Sequence, residues 1–156
     1  MDIDWKHLLT SFEGRINRKL YWIGAGILVG VWLILFFAGW SLFGEAVSGA
    51  PVYILQLIFL YPAAALLVKR LHDRNRPTYF IAFWLIPAAL SALLGLFGLS
   101  DPLDPSGLDM ILSLIMMIVG IWFLVELGFL KGTAGPNRFG ADPLAAHKTD
   151  PSPASP

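Results

Sequence analysis

Long unbroken apolar runs dominate the chain, in place of period-two alternation or a single amphipathic stripe. Four of them lie at about residues 20–42, 51–68, 79–99 and 108–130. None contains Lys or Arg, and Glu126 is the one acid inside them beyond the edge residue Asp109. About 20 apolar residues in a helix cross a bilayer. Continuous apolarity excludes barrel strands, which alternate. The breaks "FGEAVSGA" and "SDPLDPSG" have the Gly, Pro, Ser and Asp content of loops. The first run is too long and too far from the N-terminus for the core of a signal peptide. Before it, Trp5, Leu8, Leu9, Phe12 and Ile16 repeat with helical spacing, while Lys6, His7 and Glu13 fall elsewhere. This pattern predicts a short amphipathic helix lying flat on the membrane interface and broken at Gly14. The tail "HKTDPSPASP" is polar and Pro/Ser-rich, and is expected to be disordered.

The expected fold is therefore an all-α integral membrane protein. It has an interfacial helix over residues 1–14, a four-transmembrane-helix bundle over 15–143, and a disordered tail over 144–156. Composition agrees, since 56% of the 156 residues are hydrophobic and 14% are charged, against about 25% in an ordinary domain.

Charge sets the orientation. With an even number of spans, the N-terminus, the segment after the second span and the tail share one side. That side holds Lys6, Arg15, Arg18, Lys19, Lys69, Arg70, Arg74, Arg76, Lys131, Arg138 and Lys148, which are all eleven cations of the chain. The opposite loops carry only Glu45, Asp101, Asp104 and Asp109. Cationic loops resist translocation, so both termini are placed in the cytoplasm. The cation-rich segment "KRLHDRNRP" (69–77) then reads as a cytoplasmic hairpin loop whose charges meet anionic headgroups, each cation contributing about 1 kcal/mol. Tyr21, Trp22, Trp40, Tyr53 and Tyr79 suit the aromatic belts at the span ends. Net charge is zero, so no basic field attracts nucleic acid.

Few residues suggest chemistry. The chain has no cysteine, which excludes disulfides and thiolate sites. His72 and Asp73 are neighbours and point about 100° apart on a helix, so they do not orient one another. His7, His72 and His147 share the cytoplasmic side but are scattered over separate segments. No nucleophile elbow, phosphate loop or zinc-protease motif is present. No catalytic residue, cofactor or metal is expected. Pro62 and Pro87 should kink the second and third spans, as packing features or as broken helices around a transport site. Glu126 reads as an interfacial ion pair with Lys131, Arg70 or His72, or as a proton relay. The G-x-x-x-G of Gly26 and Gly30, with Ala63, Ala64, Ala65, Ala88, Ala89, Gly95 and Gly98, permits close helix packing within one chain or between copies.

Three islands resemble a known family. "FEGRINRKLYW" (12–22) is similar to its F-x-G-R-x-x-R-x-x-Y-W opening, and "KRLHD" (69–73) to its R-R-L-H-D, with a lysine first. "GPNRFGADP" (135–143) is similar to its closing G-x-N-x-[FY]-G-x-D-P. The family is domain of unknown function 805, made of small bacterial inner-membrane proteins. "RNRPTYF" departs from the small-residue turn and tryptophans that the family carries there. The resemblance implies a multi-helix protein of the cytoplasmic membrane and assigns no catalytic residue. All three islands fall on the cytoplasmic side. They are expected to fold together, with Arg15, Arg18 or Arg70 paired to Asp73, Asp142 or Glu126, near His72. Asn137 and its glycines would form a tight turn after the fourth span.

The leading functional expectation is a non-enzymatic membrane component whose basic face binds anionic lipid headgroups or a protein partner, with homo-oligomerisation permitted. The second is a small oligomeric transporter or channel built around Pro62, Pro87 and Glu126. The third is an interfacial enzyme using His72 and Asp73.

Overall fold

The computed structural model describes residues 3–44, 49–100 and 105–145. Glu45, Asp101, Asp104, His147, Lys148 and the tail from residue 146 onward lie outside the described residues. The described chain is all-helical: α1 (Trp5–Thr10), α2 (Arg18–Phe43), α3 (Ala50–Asp73), α4 (Ala82–Leu96) and α5 (Gly107–Phe123). A 3-10 turn, Thr78–Ile81, leads into α4, and α5 continues as a π-helical turn, Leu124–Phe129. Four of these helical stretches are long and apolar enough to cross a membrane.

Polar caps explain where several helices start. The Asn17 side chain accepts from Leu20 N at the head of α2. Ser106 and Asp109 form a reciprocal capping box on α5. Pro51, in the first turn of α3, stands where a missing N–H does no harm. Pro62 and Pro87 lie inside continuous α3 and α4, so neither ends its helix. Asn75, in the left-handed region at φ 56°, turns the chain after α3, and Pro77 follows.

α3 is the central helix, packed against α1, α2, α4 and the π-helical turn; α5 packs on α4. Small residues let the backbones approach: Ala64, Ala65, Ala88 and Ala92 are buried. A Cβ on Gly95 would stand 2.1 Å from the Tyr53 ring, and one on Gly24 2.9 Å from Leu66. Gly26 and Gly30 meet nothing within 4 Å. The G-x-x-x-G therefore faces away from the bundle and does not join the internal packing of the other small residues.

Three expectations change. α3 does not stop near Val68 but runs to Asp73, so Lys69, Arg70, His72 and Asp73 are helical and buried, not loop residues. The apolar stripe of α1 is divided, because α1 docks on α3. Leu8 enters the core with Ile16, Tyr21, Leu66, Leu71, Phe123 and Leu127, while Trp5 stays exposed. The helix ends at Thr10, and the break at Gly14 (φ 83°) follows an extended stretch. Tyr21 and Tyr53 are packing residues, whereas Trp22, Trp40 and Tyr79 are exposed as belt residues would be.

The buried core gathers beneath the charged end of the bundle. Most of α2 and α5 faces outward with large apolar side chains such as Ile34, Phe37, Ile111 and Ile118. A surface of that kind is stable only in an apolar solvent.

Candidate functional site

The last two turns of α3 place Lys69, Arg70, His72 and Asp73 in a ring around the helix. Each meets a different neighbour. The Lys69 ammonium is wholly buried and donates to His7 O (2.6 Å) and Leu8 O (2.5 Å), which fastens α1 to α3. Arg70, also wholly buried, donates to Leu127 O (2.7 Å), Leu130 O (2.6 Å) and the Asp73 carboxylate. Asp73 is gripped from the other side by Arg15, whose Nε and Nη2 lie 3.2 and 3.0 Å from Oδ1.

Arg15 joins all three islands. Besides Asp73 it donates to Thr133 O (2.7 Å), Gly135 O (2.8 Å) and Gly140 O (3.3 Å), with its side chain 1% exposed. A planar fork of five donors suits such a set of acceptors; a lysine could not reach them all. Gly132 makes room for the arrangement, since a Cβ there would stand 2.0 Å from Asp73 Oδ2. Asn137 closes the turn with Gly140 through paired backbone bonds, and its amide donates to His72 O and Thr133 Oγ1, both at 2.9 Å. Asp142 accepts from Gly135 N (3.0 Å) and Leu144 N (2.9 Å).

His72 is held on every side. Nδ1 lies 3.1 Å from Gly14 O, Nε2 lies 2.8 Å from Thr78 Oγ1, and the ring stacks on Phe139 at 3.9 Å. It does not touch the Asp73 carboxylate network through either ring nitrogen. Glu126 pairs with Arg74 (3.3 Å) and Arg76 (3.1 Å), not with the expected Lys131, Arg70 or His72. The extra turn of α3 and the bend at Asn75 bring those two arginines over the π-helical turn. Among the described residues Arg18 pairs with no carboxylate; its Nη1 donates to Phe129 O at 2.9 Å.

One pattern is invisible to sequence spacing. The last carbonyls of a helix lack partners within it, and the helix dipole favours cations there. After α5, five consecutive carbonyls from Leu127 to Lys131 each accept from a side chain. The donors are Arg70, Trp22, Arg18, Arg70 again and Arg74. The π-helical turn ends at Phe129, so no following turn supplies donors to these oxygens and side chains do so instead. Trp22 Nε1 reaches Gly128 O at 3.1 Å only because Gly128 has no side chain; a Cβ would stand 2.7 Å from the indole.

The network is complete: among the described residues, no buried side-chain nitrogen or oxygen lacks a partner. Nor do three His, Asp or Glu side chains converge among them. The islands are therefore brought together, and their buried charges are matched by one another and by backbone carbonyls. Sequence reasoning missed Lys69, Arg74, Arg76, Thr133 and Gly132 as members.

No solved structure matches the chain. The "Uncharacterized protein YiiR" of Escherichia coli K12 is 33% identical over 135 residues, covering 86% of both chains, and that of Escherichia coli O157:H7 matches equally. The model of "Protein of unknown function (DUF805)" matches residues 9–141, which include all of the first two islands and most of the third. With its long apolar helices and the buried arginine–aspartate knot that those islands build, this chain belongs to the DUF805 family.

Proposed function

We propose that this protein is a non-enzymatic, multi-pass component of the bacterial cytoplasmic membrane, with both termini in the cytoplasm and a basic end that binds anionic phospholipid headgroups. One observation carries the reading: the charges exposed at that end are mostly cations, while the buried ones are matched within the fold. Asp73 and Glu126 are buried in ion pairs, while Lys6, Arg18, Lys19, Arg76, Lys131 and Arg138 are exposed, against exposed Asp4 and Glu13. The rim is thus net positive although the chain is neutral. Each rim cation contributes about 1 kcal/mol near an anionic surface. His72 and Asp73 support the same reading, because both are saturated by protein groups and neither is offered to a substrate.

The test uses the full chain in nanodiscs containing equal phosphatidylglycerol and phosphatidylcholine. Anionic lipid should be enriched around the protein, and the enrichment should fall with salt. Lys131→Glu with Arg138→Glu should abolish most of it. A lipid shell of bulk composition at low salt would overturn the reading. So would reporter fusions that place residue 104 in the cytoplasm. A protein partner that occupies the basic face and displaces anionic lipid from it would favour the other occupant of this face.

A further inference from the structure

α2 packs along α3 and against the π-helical turn. Deeper in the bundle it parts from α5. The stripe Arg18, Trp22, Ala25, Val29 on α2 runs beside Gly128 and Leu124 of the π-helical turn and Gly120 and Met116 of α5, and hollows open along it. At the charged end lies a space of about 710 Å³ lined by Arg18, Lys19, Trp22 and Phe129. Past the ridge where Trp22 meets Gly128, and sharing no wall with the first, lies one of about 270 Å³ bounded by Tyr21, Ala25, Gly120 and Leu124, which an acyl chain would enter from the open side between α2 and α5. The deepest, of about 250 Å³, shares Leu28, Val29, Ala63 and Trp84 with its neighbour and reaches Trp32. Gly120 has nothing within 4 Å of where a Cβ would stand, so the gap at its level is room and not packing.

We propose that this crevice seats one anionic phospholipid, with the phosphate at Arg18 and Lys19 and one acyl chain between α2 and α5. This rests on the reading of the charged end as the cytoplasmic, lipid-facing end. Two features of the crevice identify the occupant. Its walls are mainly apolar below Trp22, with Gln56 and Tyr21 among them, and cationic above it, which is the polarity of a phospholipid. Its length also fits. Residues 18 to 32 span fourteen helical rises, roughly 21 Å, while one leaflet of hydrocarbon is about 15 Å thick with the headgroup beyond it. Arg18 is already aimed: the bond from Nη1 to Phe129 O is its only hydrogen bond among the described residues and leaves the rest of the guanidinium at the mouth. Trp22, fixed to Gly128 O, stands where headgroup and chain would meet.

The experiment is native mass spectrometry of the full chain extracted from its own membrane and taken through detergent exchange that strips bulk lipid. One phosphatidylglycerol-class or other anionic phospholipid should remain. Gly120→Leu extends a side chain into this space from a position where a Cβ meets nothing within 4 Å, and Ala25→Leu fills it from the opposite wall; each should lower retention at least tenfold. Both should keep the wild-type melting temperature in lipid-free detergent, which separates loss of the site from misfolding. Lys19→Gln should lower the preference for anionic over zwitterionic lipid roughly fivefold, the equivalent of one rim cation. Lys131→Glu with Arg138→Glu, away from the crevice, should leave the retained lipid in place while removing the bulk enrichment. That split distinguishes the crevice from the rim. No retained lipid, a retained zwitterionic lipid, or equal retention by wild type and both plugged variants would overturn the proposal.

Discussion

Replacing Arg15 tests the knot that joins the three islands. In Arg15→Ala, Asp73 keeps Arg70 as a partner, but Thr133 O and Gly135 O lose a charged donor at a site where the Arg15 side chain was 1% exposed. Hydrogen bonds to charged groups contribute about 1.5–3 kcal/mol each, and removing one member of a buried ion pair costs about 3–5 kcal/mol. Because Arg70 remains, a loss of about 4 kcal/mol is the reasonable figure. At about 2–4 °C per kcal/mol for a chain of this size, the melting temperature in detergent should fall by roughly 10 °C. Arg15→Lys keeps the charge beside Asp73 but cannot span Thr133 and Gly135 as well, so it should lose about half as much.

The same substitution predicts where the structure loosens. Amide exchange should quicken over residues 133–140, which Arg15 holds from the far end of the sequence, and remain slow within α5. The variant Arg15→Ala/Asp73→Ala should be less destabilised than the two single changes added together, because they share one network. If Arg15→Ala and Arg15→Lys both melted within 2 °C of wild type, the claim that this guanidinium holds the islands together would be refuted.

Three further outcomes follow from the same geometry. Gly132→Ala drives a methyl group into the Asp73 carboxylate and should lower the melting temperature about as much as Arg15→Ala, whereas Gly26→Ala, with nothing within 4 Å, should be neutral or stabilising by up to about 1 kcal/mol; thermal melts of the pair check both. Lys69→Met removes the donor to His7 O and Leu8 O, and limited proteolysis should then clip the chain near residues 10–14 at least tenfold faster, with the four-helix body intact. Glu126→Gln weakens partly exposed pairs with Arg74 and Arg76 and should cost about 1 kcal/mol by chemical denaturation, while a large pH-dependent change in ion flux would instead support the relay reading.

The spans were readable because twenty-residue apolar runs have few alternatives once backbone hydrogen bonds must be closed internally. The sorting of cations to one end was equally plain. What hydropathy could not show is where the polar end of α3 belongs. In "KRLHD" a run of charge after an apolar stretch has the composition of a loop, and Lys69 and Arg70 carry no mark that distinguishes them from Arg74 and Arg76. The difference lies in partners more than fifty residues away: the carbonyls of α1 for Lys69, and those of the π-helical turn for Arg70. The family resemblance did bring the right segments together, and the rule that buried charge needs a partner left the pairing open among Arg15, Arg18 or Arg70 and Asp73, Asp142 or Glu126, of which the fold uses Arg15 and Arg70 with Asp73. It gave no means of choosing carbonyls as the dominant acceptors, since backbone acceptors leave no trace in residue identity. Only glycine records them, by omission. Gly132 beside Asp73 and Gly128 beside Trp22 stand where any side chain would collide. In α2 and α5, by contrast, Gly26 and Gly120 collide with nothing. The same residue thus marks a packed knot at one place and an open wall at another, and only the space around it tells which. Reading Gly120 as a wall is what makes an apolar helix one side of the proposed lipid site.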